Sequence, residues 1–109
     1  MGKSVILGHF EFMVLSAVMS LSKDDAYGMK IHQAVEESRS ASLGAIYTTL
    51  DRLEQKGYVK SFYGGATEER GGRSKRYFEI TGHGASAVKK YGQVMGGVLA
   101  GLKEIGGLA

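Results

Sequence analysis

A mostly α fold with a small β-hairpin (α+β) is what three observations predict for this 109-residue chain. Apolar residues recur at helical spacing in three segments before residue 57, and the period then changes to two over residues 58–63 and 75–80. A final stretch after Thr81 carries apolar residues every seventh position. With 43% hydrophobic and 23% charged residues, close to the globular averages of about 45–50% and about 25%, the chain has material for one core and not for two.

Each element has its own signature. Phe10, Met13, Val14, Ala17, Val18 and Leu21 follow one helical face and predict a first helix over about residues 8–21. Ser22 to Asp25 offers capping side chains for a second helix over 26–38, with Tyr27, Ile31, Ala34 and Val35 inward. Ser42 is the expected N-cap of a third helix, whose stripe is Leu43, Ile46, Leu50 and Leu53 and whose left-handed terminal residue is Gly57. Residues 58–63 (YVKSFY) and 75–80 (KRYFEI) are aromatic and β-branched, and Gly64-Gly65 and Gly71-Gly72 bracket the link, which predicts a hairpin with a long loop. Thr81 caps a last helix with two heptad series, Val88, Met95 and Leu102, then Tyr91, Val98 and Ile105. Such a seam calls for a partner, and a second copy is the expected one.

Charge locates the working surface. Residues 52–76 hold seven basic and three acidic residues, a local +4 against −1 for the remainder of a chain whose total is +3. Arg70, Arg73, Lys75 and Arg76 fall within seven residues free of acid, a concentration that a polyphosphate partner rewards through counterion release. Three helices followed by a hairpin with a basic loop is the order of a winged helix-turn-helix, expected over residues 1–81, with 82–109 as a C-terminal dimerisation helix. On the third helix, the face opposite Ile46 and Leu50 presents Gly44, Ala45, Thr48, Asp51, Arg52 and Gln55, with Tyr47 at its margin. Small residues at the N-terminal end would let free N–H groups approach a phosphate, leaving Tyr47, Thr48 and Arg52 to reach base edges or backbone oxygens.

The same residues resemble the PadR-like transcriptional regulators over roughly residues 7–90. The likeness lies in LGHFEFMVLSAV, DDAYGMKIHQAVEE, SLGAIYTTLDRLEQKGYV, ERGGRSKRYFEIT and GHGASAV, taken in that order and spacing. It implies a winged helix, a homodimer built with the C-terminal and first helices, and repression relieved by a small molecule. By resemblance, Tyr27, Ser42, Gly44, Tyr47 and Thr48 face DNA from helices two and three, and Arg73, Lys75 and Arg76 from the wing. The chain carries a single C-terminal helix, as in the family's short branch, and no tryptophan, so Tyr91, Phe10 and Phe12 are the candidates for holding a flat aromatic or amphipathic effector at the dimer interface.

Several classes are excluded. No cysteine means no disulfide framework or thiolate site, and His9, His32 and His83 are too scattered for a metal cluster, so no cofactor or metal is expected. The longest uncharged stretch, residues 91–102, holds four glycines and falls short of a membrane span, and the N-terminus lacks a signal-peptide pattern, which favours a cytoplasmic protein. Residues 81–87 superficially match a dinucleotide loop, but no parallel βαβ unit follows; no phosphate loop or nucleophile elbow occurs either, so no enzyme is expected. The competing function is a winged helix that docks protein or RNA without binding an operator. A protein-docking wing would more often expose apolar residues at its tip.

Overall fold

The structure, a computed structural model, describes residues 7–64 and 74–104. The order is α1 (His9–Ser20), α2 (Gly28–Glu36), α3 (Leu43–Gln55), β1 (Val59–Gly64), β2 (Lys75–Ile80) and α4 (Gly82–Glu104), the predicted succession. Arg70, Arg73 and Ile105 lie outside the described residues.

Helix α1 starts where Glu11 accepts a hydrogen bond from the Gly8 amide at 3.0 Å, half of a capping box because Gly8 has no side chain to return it. Val14, Leu15, Ala17 and Val18 are buried. Leu15 lies off the predicted stripe yet is wholly enclosed, because α2, α3, α4 and β2 all lie against this helix and cover more than one face.

Helix α2 begins two residues later than its periodicity predicts. Ala26 accepts from the Phe78 amide at 2.8 Å and Tyr27 forms a β-bridge to Tyr77, so residues 26 and 27 run extended beside the hairpin as a rudimentary third strand. Ser22 to Asp25 closes a turn, with Asp25 N–H on the Ser22 carbonyl at 2.9 Å, and no side chain caps α2. The chain then turns into α3 over a hydrogen bond of 2.7 Å from His32 Nε2 to the Ala41 carbonyl, which fixes a proton on Nε2 because a carbonyl only accepts.

Ser42 caps α3 as expected, its hydroxyl oxygen accepting from the Ala45 amide at 3.0 Å, and Gly57 takes the left-handed conformation at φ +81°. Ile46, Leu50 and Leu53 are fully buried and Thr49 joins them. Leu43 does not: it is 36% exposed, because the first turn from Ser42 to Gly44 stands in solvent beyond the core.

The strands pair antiparallel from Val59↔Ile80 to Gly64↔Lys75. The first strand starts at Val59, one residue later than predicted, and the Thr81 amide, which donates to the Tyr58 carbonyl at 3.0 Å, joins the end of the ladder to the start of α4. Thr81 then caps α4, its hydroxyl accepting from the Gly84 amide at 3.0 Å and donating to the Gly57 carbonyl at 2.7 Å. A side chain at Gly84 would collide with the Tyr58 carbonyl, so this glycine serves close packing of the helix start on the hairpin. Ala87 is in the core and Val88 and Tyr91 lie against it, whereas residues 92–102 are exposed.

Candidate nucleic-acid interface

The polar face of α3 is open. Ser42, Gly44, Thr48, Asp51, Arg52 and Gln55 are exposed and Ala45 is half-buried, the face the helical wheel predicts. Tyr47 stands at its margin, half-buried and 6.5 Å from the Phe78 ring.

Beyond Tyr47 the face opens into a cleft of about 610 Å³ between the start of α2, α3 and the wing, lined by Tyr27, Gly28, Met29, Tyr47, Tyr63, Ser74, Lys75 and Arg76. Four of the predicted site residues, Tyr27, Tyr47, Lys75 and Arg76, therefore converge on one concavity. Gly28 explains how: the hydroxyl end of Tyr47 occupies the space that a Cβ on Gly28 would fill, so α2 and α3 approach through a glycine. Lys75 Nζ sits 3.8 Å from the centre of the Tyr27 ring, and Tyr77 meets Tyr27 edge-on at 5.6 Å. The aromatic run continues across the strands, with Phe62 stacked on Tyr77 at 5.8 Å.

Arg76 differs from Lys75. Its Nη2 donates to Asp51 Oδ1 at 3.0 Å and to Glu54 Oε1 at 2.8 Å, so its cation is turned onto α3. Burial disfavours its charge, but the hydrogen bonds and the charges of Asp51 and Glu54 outweigh burial and hold its pKa above the ordinary arginine value. Composition alone counted Arg76 with the free cations of the wing, because a charge count does not see the two acids that the fold brings beneath it. Met29 and Tyr63 were not legible as lining residues; Tyr63, at 70% exposed, carried only the signal of an aromatic near a glycine pair.

The predicted partner seam divides in two. Tyr91 stacks on Phe12 at 4.1 Å and its hydroxyl is 2.9 Å from His9 Nδ1, while Val88 rests on the same core; both are already half covered by the chain itself. Met95, Val98 and Leu102 are exposed, and Val94 and Leu99 join them. Phe10 is half-buried beneath the Arg39 guanidinium, 5.1 Å above its ring. Among the described residues no group of three or more His, Asp or Glu side chains could hold a metal, and no helix is long and apolar enough to cross a membrane.

An open third helix beside an antiparallel hairpin is the arrangement of a winged helix-turn-helix. Comparison with known proteins gives the family: the transcriptional regulator PadR-like family matches residues 17–90, and the chain belongs to it. A PadR family transcription regulator from hypervirulent Clostridium difficile superposes with a TM-score of 0.73 at 25% identity, covering 92% of this chain and 100% of that one. A Streptococcus mutans protein superposes with a TM-score of 0.67 at 27% identity over 95% and 94% of the two chains. An uncharacterised protein of Lysinibacillus sphaericus is 26% identical over 98 residues, 83% of this chain and 84% of its own. The chain is thus a DNA-binding transcriptional regulator and not an enzyme.

Proposed function

We propose that this PadR-like chain is a sequence-specific repressor that binds a palindromic operator as a cytoplasmic homodimer. We propose further that a small aromatic or amphipathic ligand at the dimer interface releases it. One observation carries the reading: the polar face of α3 is unobstructed among the described residues, and at Tyr47 it opens into the cleft that holds Lys75. In this reading the N–H groups of Leu43 and Gly44, left free between the Ser42 cap and the small Ala45, meet a phosphate, and Tyr47, Thr48 and Arg52 reach into the major groove. Tyr27 and Lys75 take the flanking backbone together with Arg70 and Arg73 of the loop, and Arg76 orients the wing. The homodimer is supported by the exposed Met95, Val98 and Leu102 of α4, with Phe10, Val88, Tyr91 and Ile105 completing the proposed interface. Phe10, Phe12 and Tyr91 supply the aromatic surface for the ligand. Twofold symmetry then sets half-sites about one helical turn, roughly 34–36 Å, apart.

The test is fluorescence anisotropy of the duplex that the chain selects from a random-sequence pool, against unselected duplex, as salt is raised. The selected duplex should bind more tightly by a factor of at least about a thousand, and affinity for both should fall steeply with salt. Weak, salt-insensitive duplex binding would overturn the reading in favour of a protein- or RNA-docking role.

A further inference from the structure

A helix that approaches a polyanion is expected to shed its acids, yet α3 keeps Asp51 and Glu54, one turn apart on one side. Glu54 uses both oxygens on the wing. Oε2 accepts from the Ser61 amide at 3.2 Å and from the Ser61 hydroxyl at 2.9 Å, which ties it to β1. Oε1 accepts from Arg76 Nη2 at 2.8 Å, which ties it to β2. Arg76 is fixed in turn by Asp51 and by the ring of Phe78, a core residue, 4.8 Å from its guanidinium carbon. In the hairpin register Ser61 faces Phe78 and Tyr63 faces Arg76, so the three bonds to Glu54 fall on two rungs separated by the Phe62↔Tyr77 pair and resist both sliding and tilting of the sheet on the helix.

We infer that Glu54 is a positioning residue for DNA recognition: its carboxylate clasps both wing strands to α3, with Arg76 as its counter-charge, and sets the pose in which the wing meets the duplex. The inference rests on the DNA reading proposed above. The clasp also offsets one of the two acidic charges beneath the wing, so that Lys75 meets phosphate with less competing negative charge at its base.

Charge and clasp predict opposite signs for one substitution. E54M removes a negative charge at nearly constant volume with a good helix former. If charge alone mattered, the variant would bind DNA more tightly. The clasp requires it to bind the duplex selected by the wild-type chain about tenfold more weakly, about 1.4 kcal/mol. E79Q removes the same charge from a wing residue whose carboxylate meets Lys60 at 3.9 Å, and it should bind as well as wild type or better. Hydrogen exchange on the free protein should show the amides of residues 75–78 exchanging faster in E54M while those of α1 and α2 keep their protection, which separates a loosened wing from an unfolded chain. R76M should reproduce both effects, and the E54M/R76M double variant should cost no more than the worse single variant. Unchanged wing exchange, additive losses, or E54M binding at least as tightly as wild type overturns the inference. A wild-type chain without salt-sensitive duplex binding overturns the DNA reading instead, and exchange in the free protein still decides whether the clasp holds the wing.

Discussion

Gly28 is small because Tyr47 is large, and the two are nineteen positions apart in the chain. The sequence shows that a glycine follows Tyr27; the reason for it appears only once α2 and α3 cross. G28A should destabilise the fold by about 1–3 kcal/mol in denaturant unfolding, the cost of overpacking a filled site. Adding Y47A should recover most of that loss, and a double variant as unstable as the sum of the singles would refute the contact. Glu11 allows a second prediction at this scale. It sits 2.7 Å from Lys56 Nζ and 3.0 Å from the Gly8 amide. Burial pushes its pKa up, but the hydrogen bonds to Lys56 and Gly8 and the charges of Lys56 and Arg52 outweigh that and hold it below 4.5. A carboxyl depressed by folding binds its proton more readily in the unfolded chain, so its contribution is whole above pH 4.5 and fades as pH falls through that value toward the folded one. Urea midpoints measured on either side of pH 4.5 should therefore differ less in E11Q than in wild type.

Within single elements the sequence was legible wherever one side chain answers to its own periodicity or cap. The Ser42 cap, Gly57, the Ile46, Leu50 and Leu53 line, and the Thr81 start of α4 are of this kind. What could not be read depends on a second element arriving. The late start of α2 follows from β2 taking the Ala26 carbonyl, the burial of Leu15 from neighbours on more than one face of α1, and the inward turn of Arg76 from two acids on α3. The site followed the same rule: the face of α3 was legible by wheel geometry, and the cleft between helices and wing was not. Prediction at this scale separates face from wing. T48A should cost about 1–3 kcal/mol on the selected duplex and little on unselected DNA, because a base contact carries sequence information. K75A should weaken both alike and reduce the salt slope by about 1, as loss of one phosphate contact does. Equal losses from T48A on both duplexes would reassign Thr48 to the backbone.

For the whole molecule the issue is what α4 projects into. A helix of 23 residues is about 34 Å long, and only its first turns rest on the core. From Gly92 onward its described side chains stand in solvent, among them Val98 at 48% and Leu99 at 60% exposed. Gly92, Gly96, Gly97 and Gly101 lie in this part, and none has a neighbour within 4 Å of where a Cβ would stand. At about 1 kcal/mol each relative to alanine they cost the helix roughly 4 kcal/mol of intrinsic helicity. Burial of large apolar side chains at about 1.5–3 kcal/mol apiece would offset that, and Met95, Val98 and Leu102 gain it only against another surface. In the proposed homodimer a second copy would provide that surface, and with it the twofold symmetry of the proposed palindrome. V98D or L102D should therefore give a monomer by sedimentation and lose operator binding in the same variant. Hydrogen exchange of the α1–α3 core should be retained, since neither side chain contributes to it. A variant that stayed dimeric and still bound its operator would move the interface to the first helix, around Phe10 and Phe12.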